Sequence, residues 1–344
     1  MYKGFIRPLL FLLKPEAVHS LVVKGVKFFF LIPFVKPLVE RTFGCNQSPK
    51  LKRNVLGLEF DNPIGLAAGF DKNADLYPYF DAFGFSFIEV GTVTPRAQPG
   101  NPKPRSFRLK KDKAIINRMG FNNKGLENAL KNLKRRRKSR IIIGGNIGKN
   151  TLTPNDKAHE DYLCCFKGLY DHVDYFVVNV SCPNIKDLKQ LQDSDNLRGI
   201  LSEVTLYRSS QKQYKPILLK VSPDLTTEQL DSNIETAQQY GLDGFVATNT
   251  TTSRENLSTK KQIVDSIGNG GLSGEPLKKK STEVIRYIHS KTKGSMPIIG
   301  VGGISSVEDA LEKLDAGASL IQLYTGFIYE GPGIVKKICK AIHK

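Results

Sequence analysis

The segment Asn179-Val-Ser-Cys-Pro-Asn184 gathers two amides, a hydroxyl, a thiol and a proline turn within six residues. It follows Asp174-Tyr-Phe-Val-Val178, an apolar run of the right length for a buried strand. Such a strand end offers donors, acceptors and, in Cys182, a candidate base at one point. Taken alone, the segment would also suit a strand-ending turn in which Ser and Asn bond their own backbone. Polar residues recur, however, where other apolar runs end: Gly69-Phe-Asp-Lys72, Gly91-Thr92, Asn146, Lys220, Thr248-Asn-Thr250, Gly302-Gly303 and Tyr324-Thr-Gly326. The glycines after the last two runs suit a phosphate held by backbone N–H groups. Gly300-Val-Gly-Gly303 lacks the G-x-G-x-x-G spacing of a dinucleotide fingerprint, so a mononucleotide fits better. Gly270-Gly-Leu-Ser-Gly274 reads as a second glycine-rich loop able to close over it.

Lys72 and Lys220 each have three readings: Schiff-base nucleophile, counter-charge for an anion, or surface lysine. A buried Lys220 would suit the negative charge of a reduced flavin. The amides of Asn117, Asn146, Asn179, Asn184 and Asn249 pair donors with acceptors and suit a small ligand rich in amide and carboxylate oxygen. No carboxylate cluster or metal-ligand set accompanies them, and no metal is expected.

These residues need a scaffold that brings strand ends together. Eight apolar runs are candidate strands: Ile64–Ala68, Phe87–Val90, Ile141–Gly145, Phe176–Val178, Ile217–Leu219, Phe245–Ala247, Ile298–Val301 and Leu320–Leu323. Helical patterns lie between most of them, as in Lys124–Lys138, Thr227–Tyr240 and Val307–Ala316. The alternation predicts an α/β fold, a (β/α)8 TIM barrel, whose active site lies at the C-terminal ends of its strands. Arg105–Asn117 is read as an inserted hairpin, and a linker is placed near 44–54.

Residues 1–45 read as a separate small α-helical module, with 46–344 as the barrel. Phe5, Ile6, Leu9, Leu10 and Leu13 form one helical stripe, and Pro15 opens a second helix carrying Val18, Leu21, Val22, Val26 and Phe29. Phe28-Phe-Phe-Leu-Ile-Pro-Phe-Val35 adds more apolar bulk than such a piece can hide within itself. Flanking lysines suggest a membrane-associating extension on an anionic lipid surface, in preference to a face packed on the barrel. The stretch from Leu21 to Val39 contains Lys24, Lys27, Pro33, Lys36 and Pro37, and so does not read as a spanning helix.

Net charge is +18 over 344 residues, which points to anionic partners. Runs such as Lys134-Arg-Arg-Arg-Lys138 and Lys278-Lys-Lys280 read as exposed helix faces. No nucleic-acid-binding pattern accompanies them and there is no Trp, so nucleic acid is not expected. Five cysteines, an odd number without Cys-x-x-Cys, argue against a disulfide framework or an iron–sulfur cluster and for a reducing compartment.

Gly69-Phe-Asp-Lys72, Gly91-Thr-Val-Thr-Pro-Arg96, Ile116-Asn-Arg-Met-Gly-Phe121, Asn179–Asn184, Gly270–Gly274 and Gly300-Val-Gly-Gly-Ile304, in this order, resemble the dihydroorotate dehydrogenase family. The resemblance covers essentially the whole chain, and Tyr2 to His19 looks like the N-terminal extension of its membrane-associated, quinone-linked class 2. The resemblance implies oxidation of dihydroorotate to orotate in pyrimidine synthesis. It implies FMN, one per chain and non-covalent, held by Ala68, Gly69, Phe70, Asp71, Lys72, Thr92, Asn146, Asn179, Lys220, Thr248, Gly274, Gly303, Tyr324 and Thr325. It implies dihydroorotate or orotate held by Lys72, Asn117, Arg118, Met119, Gly120, Phe121, Asn179, Asn184, Asn249 and Thr250. Cys182 falls where the family keeps its catalytic base, and His19, Arg108 and Tyr324 resemble residues lining a quinone tunnel. Class 2 members usually carry serine at the base position, whereas the soluble class 1 carries cysteine. A quinone is therefore the expected acceptor, with fumarate or NAD as the alternative. A peripheral place on the cytoplasmic face of the cell membrane, as monomer or homodimer, completes the expectation.

Overall fold

The computed structural model describes residues 2–46, 48–134, 139–181 and 194–343. Cys182, Asn184 and positions 135–138 of the basic run lie outside the described residues.

The chain opens with a π-helical turn (Tyr2–Ile6) that runs into α1 (Arg7–Leu10), α2 (Pro15–Phe29) and α3 (Val35–Phe43). Pro15 starts α2 at a position whose N–H has no helical partner to lose. An antiparallel ribbon of β1 (Arg53–Val55) and β2 (Leu58–Phe60) follows. Next come β3 (Ile64–Leu66), α4 (Tyr77–Phe80), β4 (Phe87–Val93), β5 (Ser106–Leu109), β6 (Ala114–Asn117), α5 (Gly125–Lys134), β7 (Ile142–Ile147), α6 (Ala158–Leu169) and β8 (Tyr175–Asn179). The second half runs α7 (Ser194–Ser209), β9 (Ile217–Val221), α8 (Thr227–Gln239), β10 (Gly244–Ala247), α9 (Lys261–Ile267), β11 (Gly271–Gly274), α10 (Lys278–Lys291), β12 (Ile298–Val301), α11 (Val307–Asp315), β13 (Leu320–Leu323), α12 (Thr325–Glu330) and α13 (Gly333–His343).

The eight expected runs are the barrel strands. They close in the order β3-β4-β7-β8-β9-β10-β12-β13, every pairing parallel. Parallel strands covered on both faces are mostly apolar, and so the runs are near-continuous rather than alternating. Inside the barrel, Phe87, Tyr175, Val177, Leu218, Val246 and Leu320 are fully buried. Phe60 plugs the N-terminal end from β2, edge-on to Phe87 with ring centroids 5.3 Å apart. The sequence reading missed this ribbon, because three-residue strands carry too little periodicity to stand out.

The inserted hairpin is present as β5 and β6. One expectation is corrected beside it: Gly270–Gly274, expected as a glycine-rich loop able to close over the site, contains β11, which pairs antiparallel with β6 from Gly271↔Asn117 to Gly274↔Ala114. The glycines let one backbone lie close against another. A Cβ on Gly274, at φ +101°, would stand 2.3 Å from the Lys113 carbonyl oxygen.

The N-terminal segment packs on the barrel with one side only. Phe30 meets Tyr79 and Phe83, Lys36 pairs with Asp81 at 2.9 Å, and Glu16 pairs with the buried Arg105 at 3.1 Å. The other side leaves Phe5, Leu9, Leu12, Phe28, Leu31 and Phe34 exposed. No described helix is long and apolar enough to cross a membrane. A second correction concerns cysteine: Cys45, just after α3, is disulfide-bonded to Cys339 on α13. The odd count concealed a single long-range link, for which sequence spacing holds no cue.

Candidate active site

A cavity opens at the C-terminal ends of the strands. One end is walled by Gly302 and Gly303 after β12 and by Thr325 and Gly326 after β13. A Cβ on Gly303, at φ +74°, would lie 2.5 Å from the Lys278 backbone. One on Gly326 would lie 1.8 Å from the Ile304 carbonyl oxygen. Only glycine lets Gly326 press against the Ile304 turn and Gly303 against the start of α10, an arrangement of backbone that suits a phosphate.

The floor is polar. Lys220 on β9 rises beside Asn179 on β8, its register partner. The Lys220 ammonium pairs with the Glu89 carboxylate at 3.4 Å. Gln322 on β13 reaches the cavity with a buried Oε1 that has no protein partner. An orphaned buried acceptor at such a place calls for a ligand donor. The glycine cradle, the Lys220 cation and this orphan acceptor fit a phosphorylated flavin.

The side toward the β5–β6–β11 sheet is lined by Asn117, Met119, Gly120 and Phe121, together with Asn249 and Thr250 after β10, which run on to Thr251 bridged to Leu272 of β11. Asn249 Nδ2 donates to Asn179 Oδ1 at 3.2 Å and to Ser181 Oγ at 3.1 Å, while its own Oδ1 accepts from Thr250 N–H at 2.8 Å. Lys72 donates to the Gly69 carbonyl at 2.7 Å. Burial, with the Arg105 guanidinium adding to it, lowers the Lys72 ammonium to about 8.

Beneath α2 lies a second cavity of about 680 Å³, lined by apolar residues of the N-terminal helices together with His19, Arg108 and Phe70. Lys72, Asn117, Met119 and Tyr324 line both cavities. His19 stands edge-on to Phe70 at 5.3 Å, and burial lowers its imidazole to about 4, so it is neutral near pH 7. Arg108 lies 4.4 Å over the Phe11 ring and donates to the Leu13 carbonyl at 2.7 Å. Burial pushes the Tyr324 phenol up to about 12, so it stays a donor.

The structure brings together on this rim Ala68, Gly69, Lys72, Thr92, Asn117, Met119, Gly120, Phe121, Asn179, Lys220, Thr248, Asn249, Thr250, Gly274, Gly303, Tyr324 and Thr325. Four expected residues face elsewhere. Phe70 turns into the second cavity. Asp71 is consumed by its own loop, accepting from the N–H groups of Asp75, Leu76 and Tyr77 while burial raises its carboxyl to about 6. Arg118 points outward to the carbonyls of Ile267, Asn269 and Pro104. Asn146 lies beneath the floor. Cys182 and Asn184 fall outside the described residues; Ser181, just before them, is buried against Asn249. Sequence reasoning passed over Gln322 and Glu89, whose one cue is a polar residue inside an apolar strand run.

The dihydroorotate dehydrogenase family model matches residues 50–344. The chain is 52% identical over 342 residues to a dihydroorotate dehydrogenase (quinone) of Christiangramia forsetii, covering 99% of this chain and 98% of that one. It is 45% identical to the protein of the same name from Pasteurella multocida, over 98% and 99% of the two chains. The crystal structure of DHODH from Eimeria tenella in complex with ferulenol superposes with a TM-score of 0.84 at 35% identity, over 97% of this chain and 93% of that one. The match of the family model over most of the chain, the matched barrel and this depth of identity place the chain in the dihydroorotate dehydrogenase family.

Proposed function

We propose that this chain oxidises (S)-dihydroorotate to orotate in pyrimidine synthesis, with one non-covalent FMN as its resident cofactor and a membrane quinone as its electron acceptor. The observation that carries the reading is the meeting of three features at one rim: a glycine cradle, a lysine-and-amide floor, and a wall shared with an apolar cavity under the N-terminal helices. The fumarate- or NAD-using alternative gives way, since the similar proteins named above are quinone enzymes.

In this reading the turns at Gly302-Gly303 and Thr325-Gly326 hold the phosphate, and Lys220 and Thr248 hold the polar edge of the ring. FMN, when bound, supplies the hydride acceptor for C6 of dihydroorotate. Asn117, Asn179, Asn249 and Thr250 orient the substrate's amides, and Lys72 faces its carboxylate. Cys182 removes the proton from C5. Residues 1–45 form the quinone-access module and lie on an anionic lipid surface, and 46–344 form the catalytic barrel. The protein sits peripherally on the cytoplasmic face of the membrane, as a monomer or homodimer. Heat-released cofactor tests the assignment most directly: FMN supports it, and FAD or no flavin overturns it.

Two further results are expected. Gly303→Val should yield colourless protein, because the new side chain meets the Lys278 backbone and φ +74° disfavours any β-branched residue. Flavin absorbance per chain, with circular dichroism to show a folded barrel, checks this. The second concerns pH. Lys72 is an ammonium below about 8 and loses its charge above it. Orotate, through its carboxylate, favours the charged form. Its Kd should therefore be level below pH 8 and rise by up to about tenfold per unit above it. Lys72→Gln should bind weakly and with that slope removed; calorimetry across pH 6.5–9.5 is the measurement, with ~1.4 kcal/mol for each tenfold step.

A further inference from the structure

Glu89 on β4 has no solvent exposure, and none of the chemistry above uses it. A buried carboxylate is costly unless it is paired and hydrogen-bonded, and an apolar side chain would fill a barrel axis more simply. Glu89 is fully engaged. It accepts from Asn146 Nδ2 at 2.6 Å and Gln322 Nε2 at 2.7 Å, and it pairs with the Lys220 ammonium at 3.4 Å. These partners stand on three different strands.

A carboxylate can only accept hydrogen bonds, whereas an amide offers a donor at one end and an acceptor at the other. Asn146 must therefore turn its NH2 toward Glu89 and its Oδ1 upward. That Oδ1 accepts from the Thr92 hydroxyl at 2.5 Å and from Asn179 Nδ2 at 3.3 Å, and Asn179 Nδ2 also donates to Thr92 Oγ1 at 3.0 Å, so the hydroxyl carries the same direction. Asn179 is left with its Oδ1 facing Asn249, whose Nδ2 donates to it at 3.2 Å. Glu89 at one end of the series and the Thr250 N–H, which donates to Asn249 Oδ1 at 2.8 Å, at the other thus hold three amides in one direction. The last two line the cavity, and the first does not. A glutamine at position 89 would offer either end to Asn146 and leave the direction held from the Thr250 end alone.

We propose that Glu89 is a positioning residue: it fixes which way the Asn146, Asn179 and Asn249 amides face, and so the donor and acceptor pattern that dihydroorotate and orotate meet. The inference rests on the proposed reading of this pocket. It predicts that a carboxylate placed one step along the relay does the same work. In E89Q/N146D the group at 146 accepts from Asn179 Nδ2 as the asparagine oxygen did, and the direction beyond it is restored.

Orotate affinity by calorimetry on flavin-loaded protein, with thermal unfolding alongside, tests this. E89Q should bind orotate at least tenfold more weakly than the parent, and E89Q/N146D should recover at least threefold of that loss. A merely structural role predicts no recovery, since the double variant departs further from the parent. An E89Q affinity within threefold of the parent, or a double variant no tighter than E89Q, overturns the proposal. Should E89Q not fold, the double variant decides alone. Binding within threefold of the parent supports the relay, and weaker binding or failure to fold assigns Glu89 to core stability. A parent that binds no orotate would instead overturn the proposed function itself.

Discussion

Replacing Cys182 by alanine is expected to slow flavin reduction by dihydroorotate by about 100-fold or more, the usual range for a lost general base. Ser181, the residue before it just past the end of β8, is buried and accepts from Asn249 at 3.1 Å. In the proposed reading Cys182 therefore follows directly on residues that meet the substrate's amides. A thiol with an ordinary pKa of about 8.5 is a far better base near neutrality than a serine hydroxyl. Cys182→Ser should accordingly keep activity mainly at higher pH, with its rate still climbing where the parent's has levelled. Orotate affinity should change little in either variant, because the loss lies in proton transfer rather than in binding. Anaerobic stopped-flow reduction at several pH values separates these outcomes. An alanine variant that reduces its flavin at the parent's rate would move the base to another residue.

The barrel was legible because buried parallel strands are continuous apolar runs and each ended in glycine or a polar side chain. The rim was legible for the same reason: the fold rule that sites lie at strand C-termini converts strand ends into a site. What was not legible is instructive residue by residue. Asp71 and Arg118 sit in the right motifs, yet their side chains serve neighbouring backbone, Asp71 capping its own loop and Arg118 tying the β6 end to the segment before β11. Motif membership fixes a backbone position, not a side-chain direction. Gly270–Gly274 looked like a loop because glycine usually marks one, but here it permits close backbone pairing in β11. Glu89 and Gln322 were hidden as single polar letters in apolar runs, and only the closed barrel shows that they face each other at 2.7 Å. The Cys45–Cys339 link joins residues 294 positions apart, and no local pattern reports such a contact.

The largest effect outside the active site is expected from the exposed face of the N-terminal helices. The face they turn to the barrel is already spent: Phe30 on Tyr79 and Phe83, Phe43 on Phe83, and Tyr2 OH on the Ile328 carbonyl at 2.6 Å. Deleting residues 1–45 would strip those contacts and confuse lipid binding with stability. Substituting Leu9, Leu12, Phe28 and Phe34 by glutamine leaves them in place, because all four side chains are at least 63% exposed. Each contributes roughly 1 kcal/mol if about half of it enters the lipid interface, so the four together amount to about 4 kcal/mol. That corresponds to a loss of roughly 10³-fold in partitioning to anionic vesicles. Flavin reduction by dihydroorotate should be unaffected, since none of the four lines the rim cavity. Turnover with a long-tailed quinone held in vesicles should fall with the partitioning, while turnover with a short, water-soluble quinone analogue should persist through the cavity shared at Tyr324. Vesicle co-sedimentation and side-by-side turnover assays are the measurements. A variant that still binds vesicles as the parent does would show that this face meets something other than lipid.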